Sequence, residues 1–226
     1  MRKIIFLWAT VRPDMVKSTW NEWMSKCSDL TNVYLKFAVR TEEQKQQIES
    51  FNFNNCEVII VDDKPGYTHA VTQLTKRLET EDDSILLLLS DDFFPPDKWD
   101  LYLLRKFENW DGALFLDDGY QQRVKEGQLC LTLSCLTFSC LKKVNRYVIH
   151  PDYYHFFSDN EAFVNLNQLG LLKDDRDIDN TIFEHRHYVF GARKQDENDL
   201  NNFKYWDIDN ATFDKRMSMS IEERLK

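Results

Sequence analysis

Four segments that are almost entirely apolar constrain the fold of this chain more than any other feature. They are IIFLWA at 4–9, VYLKFAV at 33–39, EVIIV at 57–61 and SILLLL at 84–89. A strand with one face in water alternates polar and apolar residues, whereas near-continuous apolar strands are typical of a parallel sheet covered on both faces. We therefore predict an α/β fold, with a Rossmann-like, mostly parallel sheet and helices on both faces.

The segments between these strands carry helix signals. Pro13 opens a helical pattern after the first strand, and Thr41 with Gln44 forms a capping box after the second. Apolar residues recur at helical spacing over 70–78 after the third. Strands alternating with amphipathic helices predict a doubly wound arrangement in the first half of the chain.

The second half is less regular. We predict three further strands, at 112–116, 128–135 and 181–189. Ser158 or Asp159 can cap a helix that runs to Leu169 and that Gly170 ends. The polar tail from Lys194 is predicted to end in a helix, which is either a lid over a site or a packed end.

Composition excludes several classes of protein. The chain has 38 acidic and 29 basic residues, a net charge of −9, so no overall positive field attracts nucleic acid or anionic lipid. The longest apolar runs are far shorter than the roughly 20 residues that span a bilayer, and the start lacks a signal-peptide pattern. Five cysteines without a CxxC pair indicate reduced thiols and a cytoplasmic location.

Polar residues follow each of the first four strands: TVRP, RT, DDKPGYTH and SDD. In parallel α/β sheets ligands bind beyond the carboxyl ends of the strands, so these residues are expected to surround a site. Asp91 and Asp92 follow the most apolar strand and precede Pro95 and Pro96. Adjacent carboxylates suit a hard divalent cation that bridges nucleotide phosphates, and the alternative is a cap of the following turn.

The stretch LLLLSDDFFPPDKW resembles the acidic-motif segment of family-2-like glycosyltransferases with the GT-A fold, a DxD-type motif followed by a proline turn. Further similar pieces follow in the same order: ATVRP, DDKPGYTHAVTQ, HPDYYHFFSDNEAF, FEHRHYV and YWDIDNATFDKR. The resemblance implies a single GT-A domain over 1–226. It implies a nucleotide-sugar-binding half at 1–92, an acceptor and catalytic half at 93–193, and a tail or lid at 194–226.

The resemblance also implies roles at the acidic motif. Asp91 would face the ribose or the metal, Asp92 would be the direct metal ligand, and His185 or His187 would complete the metal shell. Both histidines are expected on one face of a strand, although surface or core positions are the alternative. Ser90 departs from the family pattern, because many relatives carry an aspartate there, which puts one ribose or metal contact in doubt.

The nucleotide-binding and catalytic residues follow from the same resemblance. The base and ribose pocket would be lined by Thr10, Arg12 and Arg40, and either Lys64 or His69 would reach the ribose or phosphates. Asp159 matches the catalytic base of inverting relatives, and Glu161 would support it or bind the acceptor. A carboxylate at this place can take the proton of an acceptor hydroxyl, and a plain helix cap is the alternative.

Together these features predict a metal-dependent, inverting glycosyltransferase that uses Mn²⁺ or Mg²⁺ and a nucleotide-diphosphate sugar, with UDP-sugars favoured. The acceptor would be a glycan or another hydroxyl compound. Hydroxymethylated phage DNA is a minority alternative that depends on a local basic strip of Arg123, Lys125, Lys142, Lys143 and Arg146. The alternative functions are a sugar-phosphate nucleotidyltransferase, whose glycine-rich loop is missing after strand one, and a non-catalytic nucleotide-sugar-binding module.

Overall fold

The computed structural model describes residues 2–120, 129–176 and 181–226. Its strands are β1 Ile4–Ala9, β2 Val33–Val39, β3 Cys56–Ile60, β4 Ile85–Leu89, β5 Phe93–Phe94, β6 Ala113–Phe115, β7 Ser134–Thr137, β8 Leu172–Asp174 and β9 Glu184–His185. Seven of them form one sheet in the order β3-β2-β1-β4-β7-β6-β8, and β5 pairs with β9 in a second, small sheet.

The helices alternate with the strands in the first half and collect at the end of the chain. They are α1 Pro13–Ser25, α2 Glu42–Ser50, α3 Tyr67–Arg77, α4 Trp99–Phe107, α5 Phe138–Lys143, α6 Ser158–Gln168, α7 Glu197–Asn202, α8 Trp206–Met217 and α9 Ile221–Arg224. Within the three described ranges, every helix is too short or too polar to cross a membrane.

The predicted α/β class with a mostly parallel sheet is confirmed. Strands β1 to β4 pair in parallel, and β7 runs antiparallel to β4 and β6. Phe6 and Leu87 pack on one face of the sheet with α1 and α4, whereas Ile5 and Leu88 pack on the other face with α3 and α6. Burial on both faces explains why β1 and β4 are apolar throughout.

Local signals at helix ends are also confirmed in part. Thr41 and Gln44 form the predicted capping box of α2, and Gly170 follows α6 with φ +67°. The predicted cap of α6 by Ser158 or Asp159 is wrong, because the N-cap is Phe157 in the left-handed conformation. Asp159 instead lies in the first turn of the helix, where its carboxylate accepts the backbone N–H of Asn160 at 3.0 Å.

Two predicted strands are displaced or shortened. The strand predicted at 128–135 begins at Ser134, although Leu131 and Leu133 before it are buried. Their alternation belongs to a segment outside the sheet that bends at Thr132 and Leu133, and the start of the prediction lies outside the described residues. The strand predicted at 181–189 is reduced to β9, followed by a 3₁₀ turn at Tyr188–Phe190.

Asp209 anchors the C-terminal tail to the loop before α6. Its carboxylate is fully buried and accepts the backbone N–H groups of Tyr154, His155 and Phe156 at 2.8–2.9 Å. A carboxylate that accepts three backbone donors replaces the water that both partners lose on burial. These bonds fasten α8 to the loop before α6, and the choice between a lid and a packed end for the tail stays a prediction.

Replacing Asp209 with alanine is expected to lower the free energy of unfolding by ~2–5 kcal/mol, because three buried N–H groups lose their acceptor. Urea unfolding followed by circular dichroism measures the change. Asp207→Ala, an exposed position on the same helix, is the matched control and is expected to keep the wild-type midpoint. Equal midpoints for the two variants would contradict the anchoring role.

Candidate active site

A cavity of about 520 Å³ opens beyond the carboxyl ends of β1, β2 and β4. Ala9, Ala38 and Asp91 mark these three strand ends in its lining, and the opposite wall comes from the start of α6 and from the C-terminal segment. The cavity therefore lies at the sheet edge where the sequence predicts a site.

Asp92, His185 and His187 come together at one end of the cavity. One ligating atom from each lies within 4.8 Å of the others. The pairing of β5 with β9 causes this meeting, since Phe93 lies opposite His185 and the Arg186 N–H donates to the Asp92 carbonyl at 2.8 Å. Phe93 also stacks on the His185 ring at 4.1 Å, which fixes its orientation.

These three side chains fit a divalent cation. His185 Nδ1 is buried and has no hydrogen-bond partner among the described residues, while its Nε2 lies 3.6 Å from the Asp92 carboxylate. Carboxylate and imidazole donors suit Mn²⁺. Burial by itself raises the pKa of Asp92, but interactions with His185 and Ser90 hold this pKa well below its ordinary value. Burial and His185 lower the pKa of His187 to about 4, which favours the neutral imidazole that binds metals.

Ser90 supports this cluster. Its hydroxyl donates to Asp92 Oδ1 at 2.7 Å. Groups that bond a metal ligand orient it and tune its basicity. The serine therefore orients the Asp92 carboxylate.

Asp91 is held in the floor of the cavity by β1. It is 5% exposed, and it accepts hydrogen bonds from Trp8 Nε1 at 2.8 Å and from the Thr10 hydroxyl at 3.0 Å. Burial raises its pKa to about 7, although these bonds and Arg12 oppose the rise. Trp8 was not recognised from the sequence; the available signal was a tryptophan in a buried strand, because a buried indole N–H usually finds an acceptor.

Two arginines meet at one carboxylate beside the cluster. Asp199, which is 5% exposed, accepts from Arg12 and Arg193 at 2.8 Å each. Arg193 also lies 3.5 Å from Asp92, and Arg12 bonds Asp196 at 2.7 Å. Burial alone raises the pKa of Asp199, but these arginines lower it to about 2. Arg193 and Asp199 were not recognised from the sequence, where only the Asp196–Asp199 capping-box spacing was visible.

Asp159 faces the same cavity from the first turn of α6. Burial raises the pKa of its carboxyl, and hydrogen bonds from Cys130 and the Asn160 N–H, together with the charge of His185, act in the opposite direction. Burial and the charges of Asp91, Asp92 and Asp159 together raise the pKa of Tyr67. The three carboxylates and the phenol of Tyr67, which also lines the cavity, are therefore in electrostatic range of one another.

The other predicted nucleotide-binding residues divide into two groups. Thr10, Arg12 and Arg40 line the cavity, whereas Lys64 and His69 lie outside its described lining. Lys64 Nζ donates to the Pro151 carbonyl at 2.6 Å, and His69 Nε2 lies 2.9 Å from the Asp63 carboxylate.

Glu161 likewise lies outside the described lining of the cavity and is 2% exposed. It accepts two bonds of 2.8 Å from Arg216 and one of 2.6 Å from the Tyr153 hydroxyl. Burial by itself raises the pKa of Glu161, but the bonds from Arg216 and Tyr153 bring it below its ordinary value. This buried pair joins α6 to α8.

Because the folded-state pKa of Glu161 is below the unfolded value of about 4.3, its pair stabilises the fold above that pH. The contribution is lost as pH falls through the folded-state value. Glu161→Gln is therefore expected to lower the free energy of unfolding by ~3–5 kcal/mol at pH 7, and by less below pH 4. Urea unfolding at both pH values measures this, with exposed Glu222→Gln as control. If Glu161→Gln lowers the free energy of unfolding equally at both pH values, the stabilising role of the Glu161–Arg216 pair is contradicted.

No protein-family model matches this sequence, and no curated protein matches it significantly. Several solved structures do match it. The mannosyltransferase PcManGT of Pyrobaculum calidifontis, in complex with GDP-Man and Mn²⁺, is 12% identical with a TM-score of 0.60, over 79% of this chain and 56% of that one. S. aureus TarS residues 1–349 is 13% identical with a TM-score of 0.58, over 85% and 63%. Its UDP complex is 14% identical with a TM-score of 0.59, over 77% and 58%.

This chain thus spans less than two thirds of the length of each of these proteins. At such low identity the likeness concerns the fold alone. The mostly parallel sheet with helices on both faces agrees with it. The chain has the GT-A fold that the sequence predicts.

Proposed function

We propose that this protein is a metal-dependent, inverting glycosyltransferase that moves a sugar from a nucleotide-diphosphate sugar to an acceptor hydroxyl. One observation carries the proposal: a single cavity holds the Asp92, His185 and His187 cluster together with the Asp159 carboxylate. Similar folds are recorded with GDP-Man and Mn²⁺ and with UDP, which supports the choice of donor and cation.

We assign the donor to the part of the cavity at the ends of β1 and β2. Asp92, His185 and His187 would hold Mn²⁺ or Mg²⁺, which when bound neutralises the charge that develops on the departing diphosphate. Thr10 and Arg40 line the neighbouring surface, where the base and ribose of the nucleotide would lie, and a UDP-sugar remains the favoured donor.

We assign the base to Asp159. Its carboxylate accepts the proton of the acceptor hydroxyl while the oxygen bonds to the anomeric carbon and the bond to the diphosphate breaks. A single displacement of this kind inverts the anomeric configuration. The raised pKa of Asp159 supports the role, because a stronger base removes a proton more readily. Glu161, paired with Arg216, is assigned to supporting α6.

Nucleotide release tests the proposal. The protein is incubated with UDP-, GDP- and dTDP-sugars and Mn²⁺, with and without EDTA, and the free nucleotide is quantified. We expect release from at least one donor and its loss in EDTA. Calorimetry with UDP and GDP, with and without Mn²⁺, measures binding separately. Failure of every nucleotide to bind in the presence of Mn²⁺ or Mg²⁺ would overturn the proposed function.

Removal of the metal is expected to abolish the thermal stabilisation that a bound nucleotide gives the protein. A nucleotide that binds the folded state through the cation stabilises it by ~2.7 kcal/mol at one hundred times its dissociation constant. The melting temperature should therefore rise when Mn²⁺ and UDP or GDP are added together, and the rise should disappear in EDTA. A nucleotide-dependent rise of equal size in EDTA would contradict the role of the metal cluster.

A further inference from the structure

One part of the cavity wall carries aromatic rings and primary amides next to the carboxylates of Asp159 and Asp199. It is built by the loop before α6 and by the segment from α7 to the start of α8. We call it the aromatic wall, and its lining residues are Phe156, Phe157, Tyr205, Trp206, Asn198 and Asn201. A few polar groups among aromatic rings are typical of a binding surface for an organic ligand.

Trp206 is the most prominent ring of the aromatic wall. It is 46% exposed although it lines the cavity, and it makes edge-type contacts with Phe156 at 5.0 Å and Phe157 at 4.9 Å between ring centroids. Asp209, one turn further along α8, anchors the backbone of the loop that carries Phe156. The indole is therefore held in place by packing while much of its surface stays open.

The amides supply polar partners for the same ligand. Asn198 and Asn201 are three residues apart on α7, so they lie on the same side of that helix, and both line the cavity. A primary amide both donates and accepts hydrogen bonds, as a sugar hydroxyl does. A sugar ring also has an apolar C–H face that can pack on an aromatic ring. The aromatic wall thus matches both features of a saccharide.

A nucleic acid is bound mainly through cations that contact its phosphates. Arg12 and Arg193 line the cavity, but both are ion-paired with Asp199. Arg40 lines the cavity at the end of β2, in the part assigned to the donor nucleotide, and donates to the Lys64 carbonyl. Beside the aromatic wall the described lining contributes one lysine, Lys204, which lies 4.9 Å from the Tyr205 ring.

The basic strip predicted from the sequence lies elsewhere. Thr137, at the end of β7, is opposite Ile85, at the start of β4, because the two strands are antiparallel. Helix α5 follows Thr137 and therefore begins at the sheet edge opposite the cavity. Its Lys142 and Lys143 are ion-paired with aspartates there, and Arg146 is paired with Glu79. Arg123 and Lys125 lie outside the described residues.

We propose that the acceptor is an uncharged saccharide that stacks on Trp206 and hydrogen-bonds Asn198 and Asn201. This inference rests on the proposed function, since it names the acceptor of that same cavity. The saccharide presents one hydroxyl to Asp159, which takes its proton; the oxygen bonds to the anomeric carbon of the donor, and the nucleoside diphosphate leaves.

The test uses the full chain, Mn²⁺ and whichever donor sugar it hydrolyses. Glucose, maltose, cellobiose, lactose and N,N′-diacetylchitobiose are compared as acceptors with a DNA duplex containing 5-hydroxymethylcytosine. At least one saccharide is expected to accelerate nucleotide release about tenfold or more and to gain the mass of the transferred sugar. Trp206→Ala is expected to raise the KM for that saccharide about tenfold or more, and Trp206→Phe to restore most of the loss.

Leu200→Ala is the matched control, because Leu200 is 59% exposed on the same segment but lies outside the described lining. We expect it to keep the wild-type KM. Sugar transfer to the duplex but to none of the saccharides would overturn the inference, as would an unchanged KM in Trp206→Ala. Calorimetry with UDP and GDP distinguishes the two proposals. If no nucleotide binds, the proposed function fails. If a nucleotide binds and the donor is hydrolysed, but no saccharide accelerates its release, only the proposed acceptor is overturned.

Discussion

Asp92→Ala is expected to reduce metal-dependent nucleotide release by at least about 10³-fold, or ~4 kcal/mol of transition-state stabilisation. Asp92 supplies the carboxylate of the proposed metal cluster, and its removal leaves His185 and His187 as the remaining ligands of the group. The loss should appear in kcat/KM for the donor, because the cation is proposed to act on both donor binding and diphosphate departure.

Two further measurements make this prediction specific. Mn²⁺ affinity, followed by electron paramagnetic resonance of the free ion, is expected to fall in Asp92→Ala whether or not a donor is present. Asp97→Ala, an exposed aspartate beyond the proline turn, is the matched control and should behave as wild type. If Asp92→Ala folds, as judged by its melting temperature, and keeps more than about a tenth of the activity, the metal site is elsewhere.

Asp159→Asn is expected to lower kcat for sugar transfer by about 10²–10⁴-fold, which is the usual contribution of a positioned general base. The amide has nearly the same shape, so the effect on the donor KM should be much smaller than that on kcat. Steady-state kinetics of transfer, with product identified by mass, measure both constants. Asp214→Asn, an exposed position on α8, serves as the control.

The pH dependence gives a second readout for Asp159. Burial raises the pKa of its carboxyl, so activity should fall on the acid side at a pH above the ordinary aspartate value of about 3.9. Below that pKa the base is protonated and cannot accept the hydroxyl proton. The acid limb should disappear from the residual activity of Asp159→Asn. A variant that keeps both the wild-type kcat and the acid limb would show that another group accepts the proton.

The fold could be predicted from the sequence where the residue pattern of a strand depends only on its own burial. Strands β1 and β4 are buried on both faces, so their apolar runs mark them whatever they pair with. The segments around β7 and β9 are short, and their ends depend on partners far along the chain. Alternation at Leu131 and Leu133 reported burial correctly but could not reveal that this segment stays outside the sheet.

The sequence predicted which residue types form the candidate site better than it predicted which side chains contact one another. Asp92, His185 and His187 were indicated by motif resemblance, and their ligating atoms lie within 4.8 Å of one another. The bond from Trp8 to Asp91 spans 83 residues, and that from Arg12 to Asp199 spans 187. Local patterns carry no information about such pairings, which explains why Trp8 and Asp199 were missed.

The amino-acid sequence by itself determined the α/β class, the carboxyl edge of the sheet as the place of the site, and Asp91 and Asp92 at the end of β4. These features follow from hydrophobic periodicity and from the order of strands along the chain. Only the tertiary structure decided which carboxylates face the cavity. Asp159 lines it whereas Glu161, two residues away, is buried against Arg216, because α8 packs on that side of α6 and supplies a cation there.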